Sequence, residues 1–439
     1  MNAGNKLLYI TYYWPPSGGA GVQRSLKFVK YLRRFGVDPI VVTVDPSQAT
    51  YPVQDSTLLL EVDQATRVVQ TDSFEPLKWL SVLTAGKAKI PHGGFTNQRK
   101  EKWSQRILRF IRGNFFIPDA RVGWVKHAVT SAAHLIRQEQ IDTILISSPP
   151  HSSQLVGLQL KEMFPALKWI ADLRDPWTDI YYYQEMSHLP FAKRKDQKLE
   201  INVLKNCSAV LVVSDSIREL FLAKDLSLER QKFHVIPNGF DRNDFPSDVI
   251  PPDDVFRITY VGTIADNYDP ATFFSVMARI KQTMPDVNWR VRMVGSPSVT
   301  IATLIQVHGF EAHFEFIPHV SHADAVRYMC ASSALLLLIP KTVHAKGILT
   351  GKLFEYLGSG IPVIGLGPAD GDAAHILTET GAGKMFERDD EDTLCSYLTD
   401  LVCRWKQNTD LRHRCDVSTY ERSHQAKQLA EVLNQLKSC

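Results

Sequence analysis

Apolar residues follow two alternating rhythms along this chain. Short unbroken runs have the length of a buried strand, and longer stretches repeat every three or four positions, as one face of a helix does. Leu7–Tyr12 is the first such run. A turn-forming Pro-Pro-Ser-Gly-Gly follows it. Val22, Leu26, Val29, Tyr31 and Leu32 then recur close to helical spacing until Gly36 stops them. Pro39–Val44 is the next strand. The order strand, glycine loop, helix, strand predicts the first unit of a doubly wound α/β sheet. The alternation continues with a strand over Ile141–Ser147, a helix over Ser152–Met163, and strands over Lys168–Leu173 and Ala209–Val213.

Residues 237–254, rich in proline and aspartate, interrupt the pattern and read as a linker. A second series then begins at Phe256–Val261. It runs through Thr272–Gln282, Trp289–Val294, Ala323–Cys330, Ala334–Ile339, Lys352–Leu357 and Pro362–Gly365, and Glu391–Leu436 is helical in pattern throughout. The expected architecture is α/β, with two successive Rossmann-like, doubly wound domains and a helical tail. The expected divisions are residues 1–236, a linker over 237–254, a second domain over 255–409 and a last helix within 410–439.

Composition narrows the class without naming a partner. The 439 residues are 44% hydrophobic and 22% charged, which excludes a disordered polyelectrolyte. The net charge of +3 conceals an asymmetry: up to Phe240 there are 31 basic and 22 acidic residues, and beyond it 19 and 25. The first part is therefore +9 and the second −6, which suggests different partners for the two. Six cysteines show no paired or zinc-like spacing and read as reduced thiols in a cytoplasmic protein. No run approaches the ~20 apolar residues of a membrane span. The first residues do not read as a signal peptide.

Candidate chemistry gathers where strands end. Gly18, Gly19 and Gly21 lie between a strand and a helix, where backbone amides approach an oxygen-rich ligand or merely turn tightly. The loop is neither Gly-x-Gly-x-x-Gly nor a Walker loop, which disfavours nicotinamide and ATP. His151 lies in Ser147-Ser148-Pro149-Pro150-His151-Ser152-Ser153, directly after a strand, a position that suits a ligand contact or a packed imidazole. In IADLRDPWTD, Asp172, Arg174, Asp175 and Asp179 crowd a strand end beside Trp177. Such a cluster either holds a polar substrate or pairs internally. Thr350, Gly351 and Lys352 can open a helix toward a diphosphate, with Glu355 one turn on to meet ribose hydroxyls or solvent. Residues 86–127 carry ten bases and two acids, and the stretch 103–112 is amphipathic. That stretch reads as a contact for an anionic membrane or as an ordinary packed helix. The basic bias is too local to argue for nucleic acid.

Taken together, YYWPPSGGAGVQRSLKFVKYL, FIPDARVGW, SSPPHSSQLVGL, IADLRDPWTD, VIPNGFD, ITYVGT and TGKLFEYLGSGIPVIGL resemble glycosyltransferase family 4, in particular its bacterial surface-polysaccharide branch. The resemblance implies the GT-B fold, two Rossmann-like domains facing a cleft, with the last helix crossing back to the first. It implies an acceptor-binding N-terminal domain and a C-terminal domain for the nucleotide-sugar donor. It further implies a retaining hexosyltransferase with no cofactor and no catalytic metal, the nucleoside-diphosphate sugar being a co-substrate. The acceptor would be a hydroxyl of a glycan or a lipid-linked glycan at the inner face of the cytoplasmic membrane. Carried over, His151, Asp172, Arg174 and Glu355 are catalytic. Gly18, Gly19, Gly21, Gly262, Thr263, Thr350, Gly351 and Lys352 lie along the donor phosphates. Phe316, Ile317 and His319 fall in the nucleobase region, and Asp175 and Trp177 beside the acceptor.

Two departures qualify the resemblance. The first glutamate of the family's Glu-x7-Glu falls on Gly347, and the basic pair that many members carry after the first C-domain strand is missing from Gly262–Tyr268. Lys352, Lys346, Lys341 or Arg174 would have to supply that charge. A non-catalytic GT-B protein that binds nucleotide or glycan, and a GT-B sugar-nucleotide epimerase, remain the alternatives.

Overall fold

The computed structural model describes residues 5–75, 103–180, 183, 186–296, 298–413 and 415–438. The chain divides into two compact units, one of residues 1–237 with 422–439, the other of residues 238–421.

The first unit is built on strands β1 (Asn5–Thr11), β2 (Val37–Val44), β3 (Arg67–Thr71), β4 (Thr143–Ser148), β5 (Lys168–Leu173), β6 (Ala209–Val212) and β7 (Phe233–Val235). All pair in parallel, in the order β3-β2-β1-β4-β5-β6-β7. Helices α1 (Ala20–Leu32), α2 (Trp103–Phe115), α3 (Val125–Glu139), α4 (Gln154–Met163), α5 (Pro190–Asn206) and α6 (Asp215–Leu222) lie between them. The strand period of two is visible in β1. Leu8 and Ile10 join a core with Trp124, Ile144 and Trp169, while Leu7 and Tyr9 face α1 on the other side. Ala426, Leu429 and Leu433 of the last helix pack into that second core, so the end of the chain completes the first unit.

The second unit repeats the scheme. Its strands are β8 (Phe256–Val261), β9 (Trp289–Val294), β10 (Phe314–Ile317), β11 (Ala334–Leu338), β12 (Val363–Leu366) and β13 (Gly383–Phe386), in the order β10-β9-β8-β11-β12-β13, again parallel. Its helices are α7 (Ala271–Thr283), α8 (Val299–His308), α9 (His322–Cys330), α10 (Gly351–Ser359), α11 (Asp372–Glu379) and α12 (Glu391–Lys406), and α13 (Arg422–Ser438) is the last helix, in the first unit. Ser321 caps α9 by accepting from the Asp324 amide, and Gly360 ends α10 in the left-handed conformation at φ 74°.

The strands that the apolar runs did not reveal are β3, β7, β10 and β13. All four are sheet edges. An edge strand is covered less completely than a central one, so its sequence mixes polar with apolar residues and carries no unbroken run. The helical pattern over Glu391–Leu436 resolves into α12 and α13, with residues 407–421 between them.

Candidate active site

In both sheets the strand order reverses once, between β1 and β4 in the first unit and between β8 and β11 in the second. Chains leaving two such strands diverge in opposite directions and leave a crevice at the strands' carboxyl ends, where ligands of open α/β sheets bind. The glycine loop follows β1 and His151 follows β4. In the second unit Gly262 follows β8, and the segment leading to Thr350 follows β11.

His151 opens the turn into α4. Its imidazole stacks on the Trp177 indole, with centroids 4.9 Å apart and planes 10° from parallel. Both residues are buried, yet neither ring nitrogen of His151 has a hydrogen-bond partner among the described residues. Burial pushes the imidazole down to about 4; Asp119 opposes this, and the charges of Arg174 and Lys224 add to it. His151 is therefore neutral at physiological pH, with one nitrogen to donate and one to accept.

Two supports hold that ring. Asp119, in the loop before α3, accepts from the Ser152 amide and the Ser152 hydroxyl, both at 2.8 Å, and so pins the residue next to His151. From the other side, Trp177 Nε1 donates to Asp196 Oδ1 on α5 at 2.9 Å. Burial raises the Asp196 carboxyl to about 7 despite that bond. One turn along α5, buried Glu200 accepts from the Thr178 hydroxyl at 2.6 Å and from Lys224 at 2.7 Å.

The charged residues after β5 separate by role. Asp172 is fully buried and faces Arg24 of α1, whose Nε and terminal nitrogen lie 3.0–3.2 Å from its two oxygens, while Ser147 donates to Oδ2 at 2.8 Å. Both carboxylate oxygens are thus engaged within the fold. Arg174 spends its guanidinium on backbone carbonyls: Gly21 at 2.6 Å, Ser148 at 3.0 Å and Pro149 at 3.1 Å. It thereby ties the glycine loop to the turn that carries His151. Asp175 is half-buried, and burial raises its carboxyl against the pull of Arg174. Gly18 donates to Val53 O at 2.8 Å, and Gly19, at φ 89°, makes the left-handed step into α1.

In the second unit Thr350 stands at the cap position of α10. Its hydroxyl makes no cap bond and is buried without a partner among the described residues. The Lys352 ammonium lies against Gly262, where an added Cβ would come within 3.1 Å of it; Gly262 itself has φ 117°. It donates to the Tyr260 hydroxyl at 2.6 Å and sits 4.2 Å from that ring's centroid. Burial brings Lys352 down to about 7, with Glu355 opposing. The base thus reaches the strand end where the sequence lacks its own pair. Of the other candidates for that charge, Lys346 is engaged with Asp370 on the exposed surface, Lys341 is exposed, and Arg174 belongs to the first unit.

Glu355 Oε1 lies 2.9 Å from His322 Nε2 at the start of α9. Thr263 is exposed, its carbonyl accepting from the Tyr260 hydroxyl at 3.1 Å. Phe316 on β10 and His319 just beyond it are exposed, whereas Ile317 is half-buried and its carbonyl takes the Gly295 amide at 2.8 Å.

Sequence reasoning missed Arg24, Asp119, Asp196, Glu200, Lys224 and His322. One signal was present: Asp196 and Glu200 are two acids at helical i, i+4 spacing inside the otherwise basic stretch PFAKRKDQKLE.

Residues 18–244 match the profile of Glycosyltransferase Family 4, and residues 274–438 that of a glycosyl transferase-like region. Three solved structures share the fold over nearly the whole chain. A glycosyltransferase from Rickettsia africae is 14% identical with a TM-score of 0.60, covering 98% of this chain and 99% of its own. The lipopolysaccharide outer core galactosyltransferase WaaB is 13% identical at 0.59, with the same coverage. Sucrose-phosphate synthase from Thermosynechococcus elongatus is 14% identical at 0.56, covering 99% of each. A search of curated proteins found no match.

Proposed function

Because this chain belongs to glycosyltransferase family 4, with a GT-B fold, it transfers a sugar from a nucleotide sugar, and we propose that a glycan or lipid-linked glycan receives it during cell-surface polysaccharide synthesis. The transferred sugar would be a hexose and the reaction retaining. The observation that carries the donor half is the start of α10. Its first-turn amides, the Thr350 hydroxyl, which has no partner among the described residues, and the Lys352 ammonium form one cationic cap suited to a diphosphate. As the glycosidic bond breaks, negative charge grows on the leaving diphosphate, and these groups stabilise it without reorganising. The departing diphosphate takes the acceptor proton on the same face, so no protein nucleophile is needed.

His151 serves the other half. Neutral and held flat against Trp177, it offers its ring nitrogens, unpartnered among the described residues, to hydroxyls of the transferred sugar. Glu355 would exchange His322 for the ribose hydroxyls of the donor. In this reading Asp172 and Arg174 are positioning residues that brace the loops around the site, and Phe316 and His319 lie on the side of the nucleobase. Among the described residues no helix is long and apolar enough to cross a membrane. A lipid-linked acceptor would be met by peripheral contact at the cytoplasmic face, through residues 103–112.

The reading is tested by release of nucleoside diphosphate from a panel of nucleotide sugars, with and without glycan and lipid-linked acceptors. Acceptor-dependent release is the expected result. Isomerisation of the donor without any acceptor would make the protein an epimerase, and binding without release would make it non-catalytic. His151→Ala and Glu355→Ala are each expected to lower kcat at least about tenfold, at unchanged thermal midpoint. Wild-type turnover in both would sink the assignment. Asp119→Ala is expected to lower kcat about tenfold with little change in the donor KM, since it frees the turn beside His151 rather than a donor contact. Asp119→Asn keeps an acceptor for the Ser152 amide and should recover most of the rate. A purely electrostatic role for Asp119 predicts equal losses in the two variants.

A further inference from the structure

Helix α2 and the start of α5 form one surface of the first unit. Asn114 joins them: its amide nitrogen donates to Phe110 O at 2.8 Å and to Ser187 O at 3.3 Å, and its Oδ1 accepts from the Leu189 amide at 2.6 Å. His188 Nδ1 adds a bond to Gly113 O at 2.7 Å. Three phenylalanines stand out from this joined surface: Phe110 is 40% exposed, Phe115 68% and Phe191 53%. Ile107 and Leu189 are exposed beside them.

The charges on the same elements are sorted by sign. Helix α2 carries Arg106, Arg109 and Arg112 and no acid. On α5, Lys193, Arg194, Lys195 and Lys198 are exposed. The two acids of that helix, Asp196 and Glu200, are turned inward, 2% and 1% exposed, where they hold Trp177 and Thr178. The exposed positions of the two elements thus combine large apolar side chains with positive charge, and neither acid of α5 is among them.

We propose that this α2–α5 face docks on an anionic lipid surface, with the phenylalanines entering the boundary between headgroups and acyl chains and Lys193, Arg194, Lys195 and Lys198 meeting lipid phosphates. The inference deepens the peripheral contact proposed for residues 103–112 by adding residues 189–198 as its second half. Lipid is favoured over nucleic acid because the apolar residues include aliphatic Ile107 and Leu189, which offer no ring for stacking a base.

Sedimentation of the full chain with vesicles tests this directly. Vesicles of phosphatidylcholine alone are compared with vesicles of equal parts phosphatidylcholine and phosphatidylglycerol, at low and high salt. Binding is expected to be at least about tenfold stronger on the anionic vesicles and to weaken as salt is raised. Phe115→Ser with Phe191→Ser, and separately Lys193→Glu with Arg194→Glu and Lys195→Glu, should each lower it about tenfold at unchanged thermal midpoint. Equal binding to both vesicles overturns the proposal. So does wild-type binding by both variants, or capture of an RNA homopolymer without any vesicle binding. Nucleoside diphosphate release is measured on the same preparations with a soluble acceptor and is expected to be unchanged. Failure on vesicles with release intact removes the docking face alone, and loss of release with vesicle binding intact removes the transferase reading alone.

Discussion

Replacing Lys352 with methionine is expected to lower kcat/KM for the donor about a hundredfold, the scale of losing one preorganised group that stabilises a leaving oxyanion. The side chain is close in length and keeps the packing against Tyr260, so the fold should survive. The direction of the pKa shift sharpens the test. Burial holds Lys352 near 7, far below the 10.5 of an exposed lysine, so the folded state binds its proton less well than the unfolded chain does. Its charge therefore costs stability in full below pH 7, and that cost fades as pH rises from about 7 to 10.5. Lys352→Met should be at least as stable as the wild type at neutral pH while being nearly inactive, a combination that misfolding cannot produce. A bound diphosphate favours the charged amine. Above pH 7 its binding should therefore draw in a proton, and affinity should fall as pH rises until the amine's pKa in the complex is passed. Calorimetry of nucleoside diphosphate binding near pH 8, in two buffers of different ionisation enthalpy, reads that uptake. Equal uptake by wild type and Lys352→Met would remove Lys352 from the donor site.

The second large effect concerns stability. Asp172→Ala is expected to destabilise the protein by about 3–5 kcal/mol, because it leaves the fully buried Arg24 without its counter-charge. Domains are commonly stable by only about 5–15 kcal/mol, so urea unfolding should show a large fall in midpoint. Asp172→Asn should do nearly as badly, since it keeps an acceptor for Ser147 and still removes the charge. Replacing both partners, Arg24→Met with Asp172→Leu, should recover much of the loss, as an apolar pair of similar volume often does. A stable but inactive Asp172→Ala would return Asp172 to the catalytic set and refute the structural assignment.

These two residues show how unevenly the site could be read in advance. The strand and helix rhythms that place Gly19, His151 and Thr350 at strand ends depend on neighbours a few positions away, so they are written openly in the chain. The family resemblance put Asp172 among the catalytic residues, while the charged cluster after its strand left a substrate contact and an internal pairing both open. What it does depends on Arg24, 148 positions earlier, which no local pattern connects to it. Lys352 was one of four bases named for the missing charge, and it is the fold that brings its ammonium against Gly262.

By itself, then, the sequence determined two doubly wound sheets, their central strands and the loops at which chemistry sits, because buried strands and amphipathic helices are enforced by local periodicity and the hydrophobic effect. Tertiary structure alone decided how the charges are spent. It neutralised Asp172 with Arg24, turned Asp196 and Glu200 inward while the bases of α5 stay exposed, and left the His151 ring nitrogens and the Thr350 hydroxyl without a hydrogen-bond partner among the described residues. A charge keeps or loses its availability through partners that lie far off in sequence and within 3 Å or so in space, and only the packed chain brings them together.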